Sequence, residues 1–295
     1  MTTFVALGDS ITLGIGDPIR LEPPAGRRKG KRAWRGWAAL LAETLPDPAL
    51  HIVAGNGALM ADLERDQLPA ALQLRPDVAS VVIGINDTLR PNFDPDRLAE
   101  SSAHVIGALR AAGADVLTMR LPDPGRMLSL PDVLARPLAR RARLLNDVID
   151  QMVERFGTLH FDAAGDACVY DPAMWAVDRL HPSERGHRYI ARRFHALLAE
   201  AGHVLKPPPG AEPMNEPPTQ LEQFAWMATK GTAWVVRRST DLVPSLLAMA
   251  FDEWRTGRSV AAEAGTAEHE AAPTAVPRGL DGDGEPPTVS AVRAS

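Results

Sequence analysis

The feature that most constrains the fold of this chain is an alternation of short apolar runs with longer stretches of helical period. Such alternation is typical of repeated β-α units around a parallel sheet. The predicted strands cover residues 3–7, 50–54, 78–83, 115–119 and 158–161. The predicted helices cover residues 34–45, 59–73, 94–112, 136–156 and 183–201. The pattern therefore predicts an α/β domain with a parallel sheet.

A proline-rich segment predicts where this domain ends. Residues 206–220 hold six prolines in fifteen positions, a composition typical of a semi-rigid linker. We therefore assign residues 1–205 to the α/β domain. Residues 221–257 return to apolar and aromatic content and predict a C-terminal helical extension. Residues 258–295 are rich in Ala, Gly, Pro and Glu without an aromatic side chain, which predicts a disordered tail.

Charge, cysteine content and hydropathy exclude several classes of protein. The formal net charge is −5, so the chain lacks the positive field that holds nucleic acid. Cys168 is the single cysteine, which excludes an internal disulfide and a thiolate zinc site. The first residues lack signal-peptide character, and no run of 18 apolar residues occurs. We therefore predict a soluble, cytoplasmic protein without a transmembrane segment.

Two short segments carry the residue types of a serine nucleophile and its base. Ser10 follows directly after the first predicted strand, where a doubly wound fold gathers its site. Asp178 and His181 lie three residues apart, just before the last predicted helix. A serine hydroxyl needs a neutral imidazole as base and an acceptor that orients that imidazole. The pattern predicts Ser10, His181 and Asp178 as a catalytic triad.

Two further segments supply donors for the negative oxygen of an acyl-transfer intermediate. Asn86 follows the strongly apolar third strand and offers its side-chain amide. Gly57, after the second strand, offers a backbone N–H, and the backbone N–H of Ser10 is a third donor. We therefore predict an oxyanion hole made by Ser10, Gly57 and Asn86, with no metal or cofactor.

These segments resemble the blocks that define the SGNH hydrolases, also called the GDSL family of lipases and esterases. Residues 8–10 (GDS), 84–87 (GIND) and 178–182 (DRLHP) match three blocks in the family's order, and Gly57 is a looser match to the glycine block. The resemblance covers residues 3 to about 202. It implies a three-layer α/β/α sandwich with a five-stranded parallel sheet of flavodoxin-like type. It also implies ester cleavage through an acyl-enzyme, with a small-molecule or lipid ester as substrate.

Two other functions are compatible with the same residues. A metal-dependent phosphoesterase would use hard or borderline ligands, here drawn from Asp9, Asn86, Asp87, Asp178 and His181. A non-catalytic module would instead use the C-terminal helices to contact a membrane surface or another protein. The alternative for these helices is that they pack against the main domain or a second copy of the chain.

Specificity in such a fold resides in loops. Residues 121–137 are expected to form a loop over the site that selects the acyl or alcohol group. The basic run 27–32 is either simply solvated or a loop that attracts anionic esters.

Overall fold

The computed structural model describes residues 1–18, 34–128, 130–215 and 251. The basic run 27–32 and the predicted tail 258–295 lie outside the described residues. The predicted helical extension over 221–257 also lies outside them, except for Phe251.

Five parallel strands form one sheet, which confirms the predicted fold class. Their bounds are Thr2–Gly8 (β1), Pro48–Ile52 (β2), Val78–Val82 (β3), Asp115–Arg120 (β4) and Leu159–Asp162 (β5). The order across the sheet is β2-β1-β3-β4-β5, and all neighbours are parallel. This is a doubly wound arrangement in which the order reverses between β1 and β3. The crevice at the carboxyl ends of these two strands is therefore the place expected for a ligand.

The second strand lies two residues earlier than the predicted range 50–54. Its register with β1 begins at the pair Thr2 and Pro48, which sets the start of the ladder. Beyond Ile52 the chain still donates to β1 through Val53 N–H and Gly55 N–H, both at 3.1 Å. The apolar composition of the sequence indicates where the second strand lies. Its first and last residues depend on hydrogen bonding with β1.

Helices connect and flank the strands. Their bounds are Gly36–Ala42 (α1), Met60–Asp62 (α2), Leu68–Leu74 (α3), Ile85–Thr88 (α4), Pro95–Ala111 (α5), Pro124–Met127 (α6), Asp132–Phe156 (α7) and Glu184–Glu200 (α8). A π-helical turn, Leu63–Gln67, joins α2 to α3, and short 3₁₀ turns cover Ala167–Tyr170 and Pro172–Met174. Helix α1 packs on α8 and α5 packs on α7. Within the described residues, none of the helices combines the length and apolar character that crossing a bilayer requires.

The segment 121–137 is partly helical, so the expectation of a plain loop is wrong. It contains α6 and the first turns of α7, which begins four residues before the predicted position 136. The side chain of Asp123 accepts from Gly125 N–H and caps α6, while Asp132 places an acidic group in the first turn of α7. Pro137 lies inside α7 and is tolerated there. The segment expected as a loop over the site therefore includes one short helix and the start of a long one.

The proline-rich residues 206–215 have no helix or strand, and they lie against the domain. Lys206 N–H donates to Thr44 O at 2.7 Å, and Arg188 of α8 donates to Gly210 O at 3.0 Å. The carboxylate of Glu184 accepts from the backbone N–H groups of Met214 and Asn215. The first part of the predicted linker is therefore fixed along α8.

The turn that follows β1 is held against α8 and the loop before it. Gly16 has a φ of 109°, and a Cβ at this position would lie 1.9 Å from the carbonyl oxygen of Pro182. His187 of α8 is fully buried, accepts from Trp37 N–H through Nδ1 and donates from Nε2 to Ile15 O at 3.0 Å. These contacts join the segment after β1, near the start of the α/β domain, to α8 near its end.

We expect Gly16→Ala to destabilise the protein more than the same change at Gly113. Both glycines have positive φ, but a Cβ at Gly113 meets open space. The added clash with Pro182 should lower the free energy of unfolding by about 1 to 3 kcal/mol beyond the loss in Gly113→Ala. Urea unfolding of both variants measures the difference. Equal losses would show that the close approach to Pro182 is unimportant.

We expect His187 to make the protein less stable in mild acid. Burial lowers the pKa of His187 from 6.5 to about 4, although the contact with Ile15 O opposes this shift. Below pH 6.5 the unfolded chain therefore takes up a proton that the folded chain refuses, and stability falls as the pH falls toward 4. Between pH 7 and pH 5 this group alone should remove about 2 kcal/mol.

The measurement compares the wild type with His187→Gln at both pH values. Burial raises the pKa values of Asp9 and Asp87 to about 6, so protonation of these two groups stabilises the folded protein as the pH falls. This effect is present in both proteins, and the difference between them therefore reports on His187. The variant's free energy of unfolding should fall by less than that of the wild type. An identical pH dependence of stability in the two proteins would contradict the assignment of this effect to His187.

Candidate active site

Ser10, His181 and Asp178 lie in one line of hydrogen bonds. The distance from Ser10 Oγ to His181 Nε2 is 3.0 Å, and that from His181 Nδ1 to Asp178 Oδ2 is 2.8 Å. Ser10 is 9% exposed, and the side chains of His181 and Asp178 are each 18% exposed. Residues 171 positions apart in sequence thus meet within proton-transfer distance.

Asp178 holds the imidazole from a compact loop. Its Oδ1 accepts from the backbone N–H groups of Leu180 and His181 at 3.0 and 3.1 Å, while Oδ2 contacts the ring. Burial alone would raise the pKa of Asp178, but the hydrogen bonds from the His181 ring and these backbone groups hold the pKa below its usual value. The carboxylate is therefore ionised at neutral pH, and its contact with His181 Nδ1 directs Nε2 toward the serine hydroxyl.

Asn86 lies in the first turn of α4, directly after β3, and its amide faces the same crevice. Nδ2 donates to Asp9 Oδ2 and to Ala58 O, both at 3.2 Å. Asp9 is 1% exposed, and its other oxygen accepts from Ile11 N–H at 2.9 Å. Both amide hydrogens have protein acceptors at rather long distances, so the amide is oriented but not tightly held.

Asp9, which accepts from this amide, and the neighbouring residue Asp87 both have raised pKa values. Burial raises the pKa of Asp9 to about 6, against the opposing effects of Ile11 N–H and His181. Burial likewise raises the pKa of Asp87 to about 6, although Met60 N–H donates to both of its oxygens at 3.2 Å. Asp87 therefore ties α4 to the start of α2.

Gln67 is a supporting residue that sequence reasoning missed. It lies in the π-helical turn before α3, and it pairs with both backbone groups of Gly8. Gly8 N–H donates to Gln67 Oε1 at 2.8 Å, and Gln67 Nε2 donates to Gly8 O at 2.9 Å. This fixes the end of β1 two residues before Ser10. No local sequence pattern indicates that a glutamine 59 residues away contacts Gly8. The close approach at Gly16 does have a sign in the sequence, the two glycines at positions 14 and 16.

Two glycines shape the donor side of the site. Gly57 has a φ of 74° and borders the crevice, with open space where a Cβ would be. Gly84 has a φ of 119°, and a Cβ there would lie 2.5 Å from Leu145 Cδ1 of α7. The glycine thus lets α7 pack directly against the segment that carries Asn86.

A cleft of about 720 Å³ opens over these residues. Ser10, Gly57, Asn86, Asp178 and His181 all line it, so the structure brings every predicted site residue to one cavity. Most of the remaining lining side chains are apolar. A volume of this size suits a small organic ligand.

The residues named above as possible metal ligands contact different partners. Asp178 and His181 contact each other and Ser10, Asp9 contacts Asn86, and Asp87 accepts from Met60 N–H. Among the residues that the structure describes, no three His, Cys, Asp or Glu side chains are grouped so as to hold a metal ion.

Two proteins of known sequence are similar to this chain over most of the α/β domain. An acetylxylan esterase of Geobacillus stearothermophilus is 28% identical over 202 residues, which cover 64% of this chain and 90% of that protein. A GDSL lipase of Mycobacterium tuberculosis is 24% identical over 209 residues, covering 68% and 82%.

Solved structures show the same fold. LAE5, described as an alpha/beta hydrolase enzyme from the metagenome of Lake Arreo, Spain, is 22% identical with a TM-score of 0.53, covering 67% of this chain and 95% of that one. A lipase/acylhydrolase from Enterococcus faecalis is 20% identical with a TM-score of 0.53, covering 70% and 98%. The sequence model of the GDSL-like Lipase/Acylhydrolase family matches residues 6–189, more than half of the chain. The chain therefore belongs to this family and is an ester hydrolase of the GDSL type.

Proposed function

We propose that the protein is a serine esterase that cleaves a carboxylic ester through an acyl-enzyme on Ser10. The observation that carries this proposal is the pair of contacts at His181, 3.0 Å to Ser10 Oγ and 2.8 Å to Asp178 Oδ2. A serine next to an oriented imidazole is the arrangement that nucleophilic acyl transfer requires.

In the first step His181 Nε2 takes the proton of Ser10 while Oγ attacks the acyl carbon. The imidazolium that forms lies beside the ionised carboxylate of Asp178, which stabilises its charge. His181 then gives the proton to the leaving alcohol, and the acyl group stays on Oγ. In the second half His181 activates a water molecule, which releases the acid and restores the serine.

We assign stabilisation of the oxyanion to the backbone N–H groups of Ser10 and Gly57 and to the side-chain amide of Asn86. Among the described residues, neither of these two backbone N–H groups donates to a protein acceptor, so both are available. Asn86 has to exchange one of its 3.2 Å contacts, with Asp9 or Ala58, for the oxyanion. A long bond is readily exchanged for a charge-assisted one. Asp9, Asp87 and Gln67 serve as positioning residues for this donor set.

We expect Ser10→Ala to lower kcat for p-nitrophenyl acetate at least about 1,000-fold, because the nucleophile is removed. A fluorophosphonate probe should label the wild type at Ser10 and leave Ser10→Ala unlabelled. The matched control is Cys168→Ser, since Cys168 is an exposed free thiol that also reacts with electrophiles. This variant should keep both the labelling and the activity.

The same assay, with and without a chelator, separates the esterase from a metal-dependent phosphoesterase. Full activity after chelation, together with labelling of Ser10, supports the acyl-enzyme. Loss of activity on chelation with Ser10 unlabelled would overturn it.

We expect Asn86→Ala to lower kcat by about 100- to 1,000-fold, the usual effect of losing one oxyanion donor. Asn56 also lines the cleft and is exposed, so Asn56→Ala is the matched control and should stay within a few-fold of the wild type. Circular dichroism verifies that both variants are folded. A kcat for Asn86→Ala close to that of the wild type would remove Asn86 from the oxyanion hole.

A further inference from the structure

The chain that follows α8 turns back along that helix. We call residues 206–215 of this segment the strap. Its contacts pair His195 with Lys206, Arg192 with Pro209, Arg188 with Gly210, Arg185 with Glu212, and Glu184 with Met214 and Asn215. The partners on α8 thus move toward the first residue of the helix as the strap proceeds. The strap therefore runs antiparallel to α8 and ends beside its first turn.

At that end the strap supplies most of the hydrogen bonds of a buried carboxylate. Glu184 is the first residue of α8 and is 8% exposed. Its Oε1 accepts from Met214 N–H at 2.6 Å and from Arg188 Nε at 3.0 Å. Its Oε2 accepts from the backbone N–H and the side-chain Nδ2 of Asn215, at 3.0 and 2.7 Å. Three of these four donors belong to the strap.

The buried position of Glu184 depends on these donors. Burial alone would raise the pKa of Glu184, but hydrogen bonds from Met214, Asn215 and Arg188 hold the pKa below its usual value. Arg188 is itself 4% exposed and uses Nη1 to bind Gly210 O of the strap. A buried charge that loses its partners is strongly unfavourable. Without the strap, the carboxylate would have to leave its buried position to reach water.

The first turn of α8 is in direct contact with the loop that carries His181. Ser183, the N-cap of α8, donates from its backbone N–H to Met174 O at 2.8 Å and from Oγ to Ala173 O at 2.6 Å. A Cβ at Gly186 would lie 2.2 Å from the same Met174 O. A displaced helix start would therefore displace this loop, because no space separates their backbones.

The carboxylate of Glu184 also lies near the turn after β1. Burial raises the pKa of Asp17, and the charge of Glu184 raises this pKa further, so the two carboxyl groups are neighbours. Asp17 is 2% exposed and directly follows Gly16, which has no room for a side chain beside Pro182 O. Glu184 is therefore close to both of the segments whose contact forms the active site.

We propose that Glu184 and Asn215 are positioning residues of the esterase, through which the strap keeps His181 in line with Ser10. Neither Glu184 nor Asn215 lines the cleft, so both act through the backbone of the loop before α8. This inference rests on the proposed function. It makes residues 206–215 a part of the catalytic unit, although their composition predicts a linker that follows it.

Asn215→Asp in the full chain tests the proposal, because it places a second carboxylate against that of Glu184. We expect kcat for p-nitrophenyl acetate to fall about tenfold or more, since a small misplacement of a catalytic group is costly, while KM stays within about twofold of the wild type. The matched control is Glu212→Gln, which removes an exposed ion pair between the same strap and Arg185. This control should keep the kcat of the wild type. A wild-type kcat in Asn215→Asp would overturn the proposal.

Gly113→Ala separates a loss of alignment from a loss of stability. Gly113 precedes β4 whereas Ser10 follows β1, so the two residues lie at opposite ends of the parallel strands. Its positive φ makes the substitution destabilising. Urea unfolding ranks the variants, and kcat is measured where all of them are folded. Gly113→Ala should keep the kcat of the wild type, and a kcat that follows the free energy of unfolding in every variant would leave the strap a purely structural role and overturn the proposal.

The double variant of Glu184→Gln with Asn215→Asp exchanges donor and acceptor. The new amide at position 184 can donate to the new carboxylate at position 215, and its oxygen can still accept from Arg188. Each single change instead leaves two acceptors or two donors facing each other. The double variant should therefore have a kcat at least about threefold above that of Asn215→Asp. A double variant that is no more active would overturn the coupling of the two side chains.

The two levels of inference fail differently. Ester hydrolysis that survives in Ser10→Ala removes the proposed function. Hydrolysis that depends on Ser10 but is unaffected by Asn215→Asp removes only the inference about the strap.

Discussion

The structure depends on the close approach between the turn after β1 and the loop before α8. Gly16 lies so near to Pro182 O that no side chain fits between them, and His187 connects α8 to both Ile15 O and Trp37 N–H. Ser10 and His181 are carried by these same two segments. Their 3.0 Å contact is therefore set by backbone packing. Such packing holds the Ser10 hydroxyl and the His181 imidazole next to each other.

Buried charge is the second constraint on this site. Asp178 remains ionised because hydrogen bonds from His181 and two backbone N–H groups outweigh its burial. Asp9 and Asp87 are buried with fewer compensating donors, and their pKa values rise to about 6. The unfavourable desolvation of Asp9 thus occurs where this carboxylate accepts a hydrogen bond from the Asn86 amide. Strained or costly groups of this kind are common where a protein preorganises a reaction.

Membership of the GDSL-like family accounts for the sheet and for the order of the site segments, but relatives that share this scaffold bear names as different as acetylxylan esterase and lipase. Here residues of α6, of α7 and of the loop after α4 line the cleft, and Arg141 ties that loop to α7. The scaffold alone therefore does not determine the substrate.

The sequence by itself determined the parallel α/β sheet, because strand and helix periods are local and repeat five times along the chain. It also identified Ser10, Asn86, Asp178 and His181 as candidates, since each follows a strand or precedes a helix in a short motif. Only the tertiary structure decided that Gln67 holds Gly8, that Gly16 contacts Pro182 and that α7 begins at Asp132. These features join residues that are distant along the chain, and no local pattern of side chains encodes which distant backbone group will be their partner.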